Sequence, residues 1–499
     1  MMIAAISGGT KNATAAVVDG GRVTGVCAQE RATRVRGAGV TDSGLPDEAL
    51  DLLLQRQGRS RQDLSRYVLV DGDGPAPGVT VDRIDHHRAH ACTAYLTSPS
   101  SSAAIVVCDH EAPDVSVWIG DGATVRQVDW PWRGDGFVRV FSRCSTALGF
   151  TPTAADQPAE ALARLAPDSR DAAVDRLLRR EADRLVVDPS LERFVADRLA
   201  GGDGVGSLAR AAIANALQAR LSDLLIELLR EVRDAVGQTD LCLGGSLFYH
   251  SSINTRVRQS GLFTRVFVPV DPGNGGLAVG AALDALGTGP IKLSPFLGPS
   301  YSSEETKQVL DSCKLQYEWE SDEDAVQVAV RALREGRLVG WFDGGMEWGP
   351  RALGARCILA NPTAPYVLDN LNRFLKQRAP WRGYALSGAE EALAEHFDGP
   401  GAAPFMENDY RPRDPARFRE ALPSPEAAVR VHTVAADSEM PRFRRLLDAF
   451  GEATGLPFLI NTSFNGFHEP IVCNPRDAVR VFYGTGLDVL VINQFVLRK

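Results

Sequence analysis

Residues 3–28 read IAAISGGTKNATAAVVDGGRVTGVCA, and residues 103–122 read AAIVVCDHEAPDVSVWIGDG. In the first stretch an apolar run, residues 3–6, ends in the polar loop Ser7-Gly8-Gly9-Thr10-Lys11-Asn12. A second run, residues 13–18, turns at Asp19-Gly20-Gly21 into a third, residues 23–28. Asp-Gly between apolar runs signals a tight hairpin, because such turns need left-handed backbone at their centre. The second stretch repeats the order: apolar residues 103–108, polar loop 109–114, apolar residues 115–119, and a turn at Asp121-Gly122. Ser7 precedes Asp19 by the same interval that separates Asp109 from Asp121. Each stretch predicts one strand–loop–hairpin unit.

Two units of equal length point to an α/β fold in which a nucleotide-binding unit is duplicated, as in actin and the sugar kinases. Each hairpin loop then faces the phosphates from one half. Further along, residues 159–236 are rich in helix formers, with Ile213, Leu217, Leu221, Leu224 and Leu228 at helical spacing. This whole stretch is expected to be helical. A strand over 241–243 runs into Gly244-Gly245-Ser246, and Asp271-Pro272-Gly273-Asn274-Gly275-Gly276 opens a helix over 277–286. Residues 287–303, GTGPIKLSPFLGPSYSS, are a linker by composition. A helix over 323–335, a strand over 338–342 and another glycine-rich loop then begin a second domain. The expected division is 1–288, a linker 289–303, and 304–499.

At 499 residues the chain is too long for one hydrophobic core. Its 44% hydrophobic and 23% charged residues are those of an ordinary globular protein. A net charge of −9, with no Lys/Arg-rich stripe, disfavours a nucleic-acid partner. The eight cysteines include no C-x-x-C pair, which fits reduced thiols better than a disulfide framework or a zinc knuckle. No apolar run approaches the roughly 20 residues that span a bilayer. A soluble cytoplasmic protein without membrane partners is expected.

His86 and His90 stand at i and i+4, so on a helix their imidazoles share a face suited to a metal ion. Asp109, at the end of the repeated strand, could add a carboxylate. Two His and one Asp leave positions open for phosphate oxygens or water. The loops 7–12, 244–246 and 273–276 offer backbone N–H groups, and the last opens a helix whose N-terminal dipole favours phosphate. Lys11, Asn12, Gly244, Gly245, Ser246, Gly273 and Asn274 are therefore candidates for nucleotide contact. In the C-terminal part, WFDGGMEWGPRALGAR (341–356), NRFLKQRAPWR (372–382) and NTSFNGFHEPIV (461–472) carry the chemistry. Arg351, Lys376, Arg378 and Arg382 are cations beside apolar or glycine-rich sequence, placed to clamp phosphate or carboxylate. Asn461, Ser463 and Asn465 offer neutral hydrogen bonds after a strand over 458–460.

On MEWGPRALGARCILANP (346–362), the 376–382 segment and LINTSFNGFHEPIVCNP (459–475), the chain resembles the O-carbamoyltransferase family of the nodulation, cephalosporin and tobramycin carbamoyltransferases. HHRAHA (86–91) and GLAVGAAL (276–283) extend the resemblance into the first half. It implies a TsaD-like domain of the duplicated class followed by a YrdC-like α/β domain. It also implies ATP and a divalent metal, iron by resemblance, with carbamoyl phosphate as donor and a small-molecule hydroxyl as acceptor. By the same resemblance His86, His90 and Asp109, with Asn274, are metal ligands. Arg351, Lys376, Arg382 and Arg430 become the catalytic donor site, with Asn461 and Ser463 beside them. A homodimer and a place in secondary metabolism, such as antibiotic biosynthesis, are further implications.

Several positions depart from the family pattern. Lys11-Asn12 stands where a His-Asp pair is usual, Asn274 where a metal-binding Asp is, and Tyr249 where an Asn is. His110-Glu111-Ala112 replaces glycines, and the E-G-K motif expected near Ala159 is absent. Competing readings are threonylcarbamoyl transfer to tRNA, a non-catalytic nucleotide-binding regulator, and a sugar kinase that would release ADP.

Overall fold

The computed structural model describes residues 1–72, 80–151, 156–181, 183–200 and 208–499. Both quoted stretches form the predicted hairpins. Met2–Ser7 pairs antiparallel with Thr14–Asp19, which pairs antiparallel with Arg22–Ala28. Ser102–Cys108, Val115–Asp121 and Thr124–Val128 repeat that arrangement. On the other side of each first strand lie two parallel strands, Leu64–Leu69 with Thr80–Arg83, and Asp240–Gly244 with Arg265–Phe267. The two five-stranded sheets thus share one strand order and one set of strand directions. The fold is the duplicated α/β arrangement of the actin and sugar-kinase class.

Two helices lie between these sheets. His86–Leu96 and Leu277–Leu286 bury Ala89, Leu96, Leu277 and Leu283 in one core with Ile3 and Val18 of the first sheet and Ile105 and Val107 of the second. They approach closely at Gly280, where a Cβ would sit 2.0 Å from the Ala89 carbonyl oxygen.

Residues 159–236 are not helical throughout. Between the helices Ala172–Leu177 and Leu191–Leu199, the strands Leu178–Glu181 and Arg184–Val187 pair antiparallel as a separate two-stranded ribbon. The strands LRRE and RLVV carry helix-compatible charges, so composition hid a ribbon that its neighbours bury at Leu178 and Leu185.

Residues 288–302 hold no helix or strand, yet they do not hang free. Ile291 N–H donates to Leu96 O (2.8 Å), Val26 N–H to Leu297 O (3.0 Å), and Gly298 N–H to Met346 O (2.9 Å). The segment is laid against both halves. Beyond it, strands between Glu318 and Arg498 build a mixed ten-stranded sheet, with Asp322–Arg334 and Pro441–Thr454 packed together on one face. Among the described residues no helix is long and apolar enough to cross a membrane. None of the eight cysteines is in a disulfide among the described residues, and seven are buried.

Candidate active site

A cavity of about 680 Å³ opens where the duplicated half meets the ten-stranded sheet. Asn12, Asp109, Ser246 and Asn274 contribute to its wall from the first half, and Arg351, Arg382, Arg430, Asn461 and Ser463 from the second. These nine candidates come from segments hundreds of residues apart. Lys11, Gly244, Gly245, Gly273, His86, His90 and Lys376 are not wall residues. Lys11 is exposed and bridges to Ala38. Gly245, at φ +100°, lies where a Cβ would meet the Cys108 carbonyl oxygen at 2.1 Å, so glycine is needed at that position for the loop to pack on the strand.

Arg351 rides on the loop between the strands Val339–Phe342 and Arg356–Ala360, and two buried charges shape that loop. Glu347 Oε1 accepts the N–H groups of Leu353 (2.7 Å), Ala355 (2.8 Å) and Arg356 (3.2 Å). The Arg356 guanidinium fills the turn by donating to Asp343 O (2.8 Å), Gly344 O (3.1 Å) and Pro299 O (3.2 Å). Arg351 then donates to Tyr249 O (3.0 Å) across the cavity. Burial followed by the charge of Arg351 lowers Arg430 to about 9, and burial followed by Arg378 lowers Arg382 to about 10. Desolvation and like-charged neighbours thus outweigh the carboxylate that Arg430 already holds in Glu160, and both cations gain by receiving a further anion.

Lys376 sits behind the wall. Its ammonium donates to Ser463 O (2.6 Å), Asn465 O (3.2 Å) and Asn465 Oδ1 (2.6 Å). Burial, and then Arg378, push it well below the ordinary lysine value. From this place it props the 463–465 loop.

At the opposite end, Asp85 caps the helix His86–Leu96 by accepting the Arg88 N–H at 2.9 Å, which puts His86 and His90 on one face. Asp109 Oδ2 lies 3.1 Å from His86 Nε2 and 3.4 Å from His90 Nε2. The three ligand atoms fall within 4.8 Å of one another. His90, 1% exposed, has no close hydrogen-bond partner at either ring nitrogen among the described residues, with Asp109 Oδ2 standing 3.4 Å from its Nε2. Asn274 Oδ1 is also buried without a partner among the described residues. Burial would raise Asp109, but His86, His90 and Ser246 hold it far below the usual carboxylate range. This donor set suits a divalent cation, with His86 steadied by Asp71 at 3.2 Å.

Thr14, Arg31, Glu160 and Arg164 are wall or near-wall residues that the sequence did not single out. Arg31 Nη1, like Thr14 Oγ1 and Asn461 Oδ1, is a buried wall atom with no partner among the described residues. Glu160 and Arg164 form an ion pair of 2.6 Å beside Arg430. Their i,i+4 spacing on an expected helix was a usable signal.

A family model described as Carbamoyltransferase C-terminus matches residues 330–499, and one described as Carbamoyltransferase N-terminus matches residues 77–283. Nodulation protein NolO of Bradyrhizobium diazoefficiens is 34% identical over 58% of this chain and 54% of its own length. Nodulation protein U of the same organism is 30% identical over 46% of this chain and 39% of its own. The chain thus spans about half or less of these two relatives. An uncharacterised Synechocystis protein, sll1178, is 28% identical over 83% of this chain and 76% of its own. Among solved structures, full-length HypF in a phosphate- and nucleotide-bound form aligns at a TM-score of 0.36 and 13% identity, over 57% of this chain and 55% of that one. That last likeness is too slight to argue from.

Proposed function

From the premise that this chain belongs to the carbamoyltransferase family, we propose that it moves a carbamoyl group from carbamoyl phosphate, through carbamoyl adenylate, to the hydroxyl of a small molecule. One observation carries this reading: Arg351, Arg382 and Arg430, from three separate segments, line a single cavity that also reaches Asp109, Ser246 and Asn274. Guanidinium groups suit a phosphate dianion, and their burial strengthens each contact.

Carbamoyl phosphate, held on these arginines, is cleaved by water to carbamate and phosphate. Carbamate is a poor acyl donor, so its oxygen attacks the α-phosphate of ATP and releases pyrophosphate. The acceptor hydroxyl then attacks the carbamoyl carbon, loses its proton, and AMP leaves. Arg351, Arg382 and Arg430 offset phosphate charge, and Lys376 holds the 463–465 loop that presents Ser463. Asn12, Ser246 and Asn274 face the nucleotide end of the cavity. His86, His90 and Asp109 would hold a divalent metal, whose charge would offset that of the adenylate when bound.

The acceptor is not needed for a first test. Labelled pyrophosphate should exchange into ATP only when carbamoyl phosphate is present, because that exchange reports carbamoyl adenylate alone. No exchange, or release of ADP in place of AMP, would overturn the reading in favour of a regulator or a kinase.

A further inference from the structure

Behind the arginine wall of the donor cavity lies a carboxylate that never reaches the cavity. Glu160, on the helix Asp156–Ala163, is 0% exposed, whereas Arg164, Arg351 and Arg430 all face the cavity. Glu160 Oε1 lies 2.6 Å from Arg164 Nη2, and its Oε2 accepts from Arg430 Nη2. Ser251 Oγ sits between the same two guanidinium groups, accepting from Arg164 Nη2 at 2.8 Å and Arg430 Nε at 2.7 Å. Its own proton goes to Asp409 Oδ1 at 2.6 Å, and Asp409 Oδ2 takes Arg164 Nε at 2.9 Å. Burial alone would raise the Glu160 carboxyl, but the charges of Arg164 and Arg430 hold it well below its ordinary value.

These contacts divide between the two halves of the chain. Glu160, Arg164 and Ser251 come from the N-terminal half, and Asp409 and Arg430 from the ten-stranded sheet. Without the Glu160 carboxylate, Arg430 would lose its carboxylate partner and keep Ser251, and Arg164 would keep Ser251 and Asp409, so the like charges of Arg164, Arg351 and Arg430 would be less fully offset and their guanidinium groups less firmly fixed.

We propose that Glu160 is a positioning residue of the donor site, fixing the Arg164 and Arg430 guanidinium groups from behind so that their free edges meet the incoming phosphate. The inference rests on the reading of this cavity as the carbamoyl phosphate site. It makes Arg164 a further anion-binding residue, and it means that the N-terminal half completes a pocket whose other cations belong to the C-terminal half. A buried carboxylate near an anion site could instead oppose the anion. Its place behind the guanidinium groups, outside the cavity wall, favours the positioning role.

Calorimetric titration with carbamoyl phosphate, and separately with inorganic phosphate, distinguishes the two roles in the full-length protein. Glu160→Gln is expected to weaken both anions by about tenfold or more, and to raise KM for carbamoyl phosphate while KM for ATP stays within about twofold. Ser251→Ala, which keeps every charge, is expected to weaken them by about threefold. Binding by Glu160→Gln that equals or exceeds wild type overturns this inference alone. Wild-type protein that binds neither anion overturns the donor-site reading, and this inference with it. Should Glu160→Gln fail to fold, Ser251→Ala decides, and unchanged affinity there counts against the proposal.

Discussion

Asp271 is a carboxyl whose charge the fold opposes. It faces the cavity at 4% exposure, accepts the Tyr249 hydroxyl, and takes the Gly273 N–H at 3.1 Å. Burial pushes it up to about 6, from an ordinary 3.8. Because the folded value is the higher one, the protonated carboxyl stabilises the fold below pH about 4, and this contribution is lost as pH rises through about 6. The loss is on the order of 3 kcal/mol. Asp271→Asn should remove that pH dependence, which denaturant melts between pH 4 and 7 would show; an unchanged profile in the variant would refute it. At this scale legibility depended on locality. His86 and His90 were readable because a single helix sets their spacing. Glu160 is an ordinary helix glutamate until Arg430, 270 residues away, arrives beside it. Lys376 is likewise held by distant partners, the Ser463 and Asn465 carbonyl oxygens and Asn465 Oδ1, which sequence does not display.

Elements were more legible than sites. Both hairpins announced themselves through Asp-Gly turns, and the observed Gly20, Gly21 and Gly122 all take positive φ (58°, 78° and 54°). What sequence did not show is how the two halves meet: the helices His86–Leu96 and Leu277–Leu286 press together at Gly280. There a Cβ would lie 2.0 Å from Ala89 O and 2.4 Å from Thr93 Oγ1, and a backbone oxygen cannot swing aside. Gly280→Ala is expected to cost about 3 kcal/mol through overpacking. Because Ala89 precedes His90, the same change should disturb the His86–His90–Asp109 group and weaken divalent-cation binding. Denaturant melts and a zinc or iron titration would check both effects. A variant with wild-type stability would show that the interface has slack the geometry does not suggest. The charged strands Leu178–Glu181 and Arg184–Val187 stayed hidden because they lack the alternation that a half-buried sheet normally carries.

Across the whole molecule, the cavity exists only while the two halves stay docked, since each supplies part of its wall. Arg34, a half-buried side chain on the first half, reaches the C-terminal half with both ends of its fork. Nη1 donates to Ile471 O (2.5 Å) and Nη2 to Pro470 O (2.8 Å), with Glu469 and Asp477 each 3.6 Å away. Ile471, Pro470 and Glu469 are themselves wall residues, so this latch fixes the cavity edge directly. Removing it leaves two carbonyls without their donor and Asp477 without its cation, while Glu469 keeps Arg480 at 2.9 Å, at a cost of about 3 kcal/mol. Arg34→Ala should therefore lower the unfolding temperature by several degrees, about 2–4 °C per domain-sized kcal/mol. It should also lower carbamoyl-phosphate-dependent pyrophosphate exchange at least tenfold, the factor that about 1.4 kcal/mol of lost preorganisation produces. Arg34→Lys keeps the charge but not the fork, and should recover stability better than exchange. Equal recovery of both would mean that Arg34 holds the halves together without shaping the cavity edge.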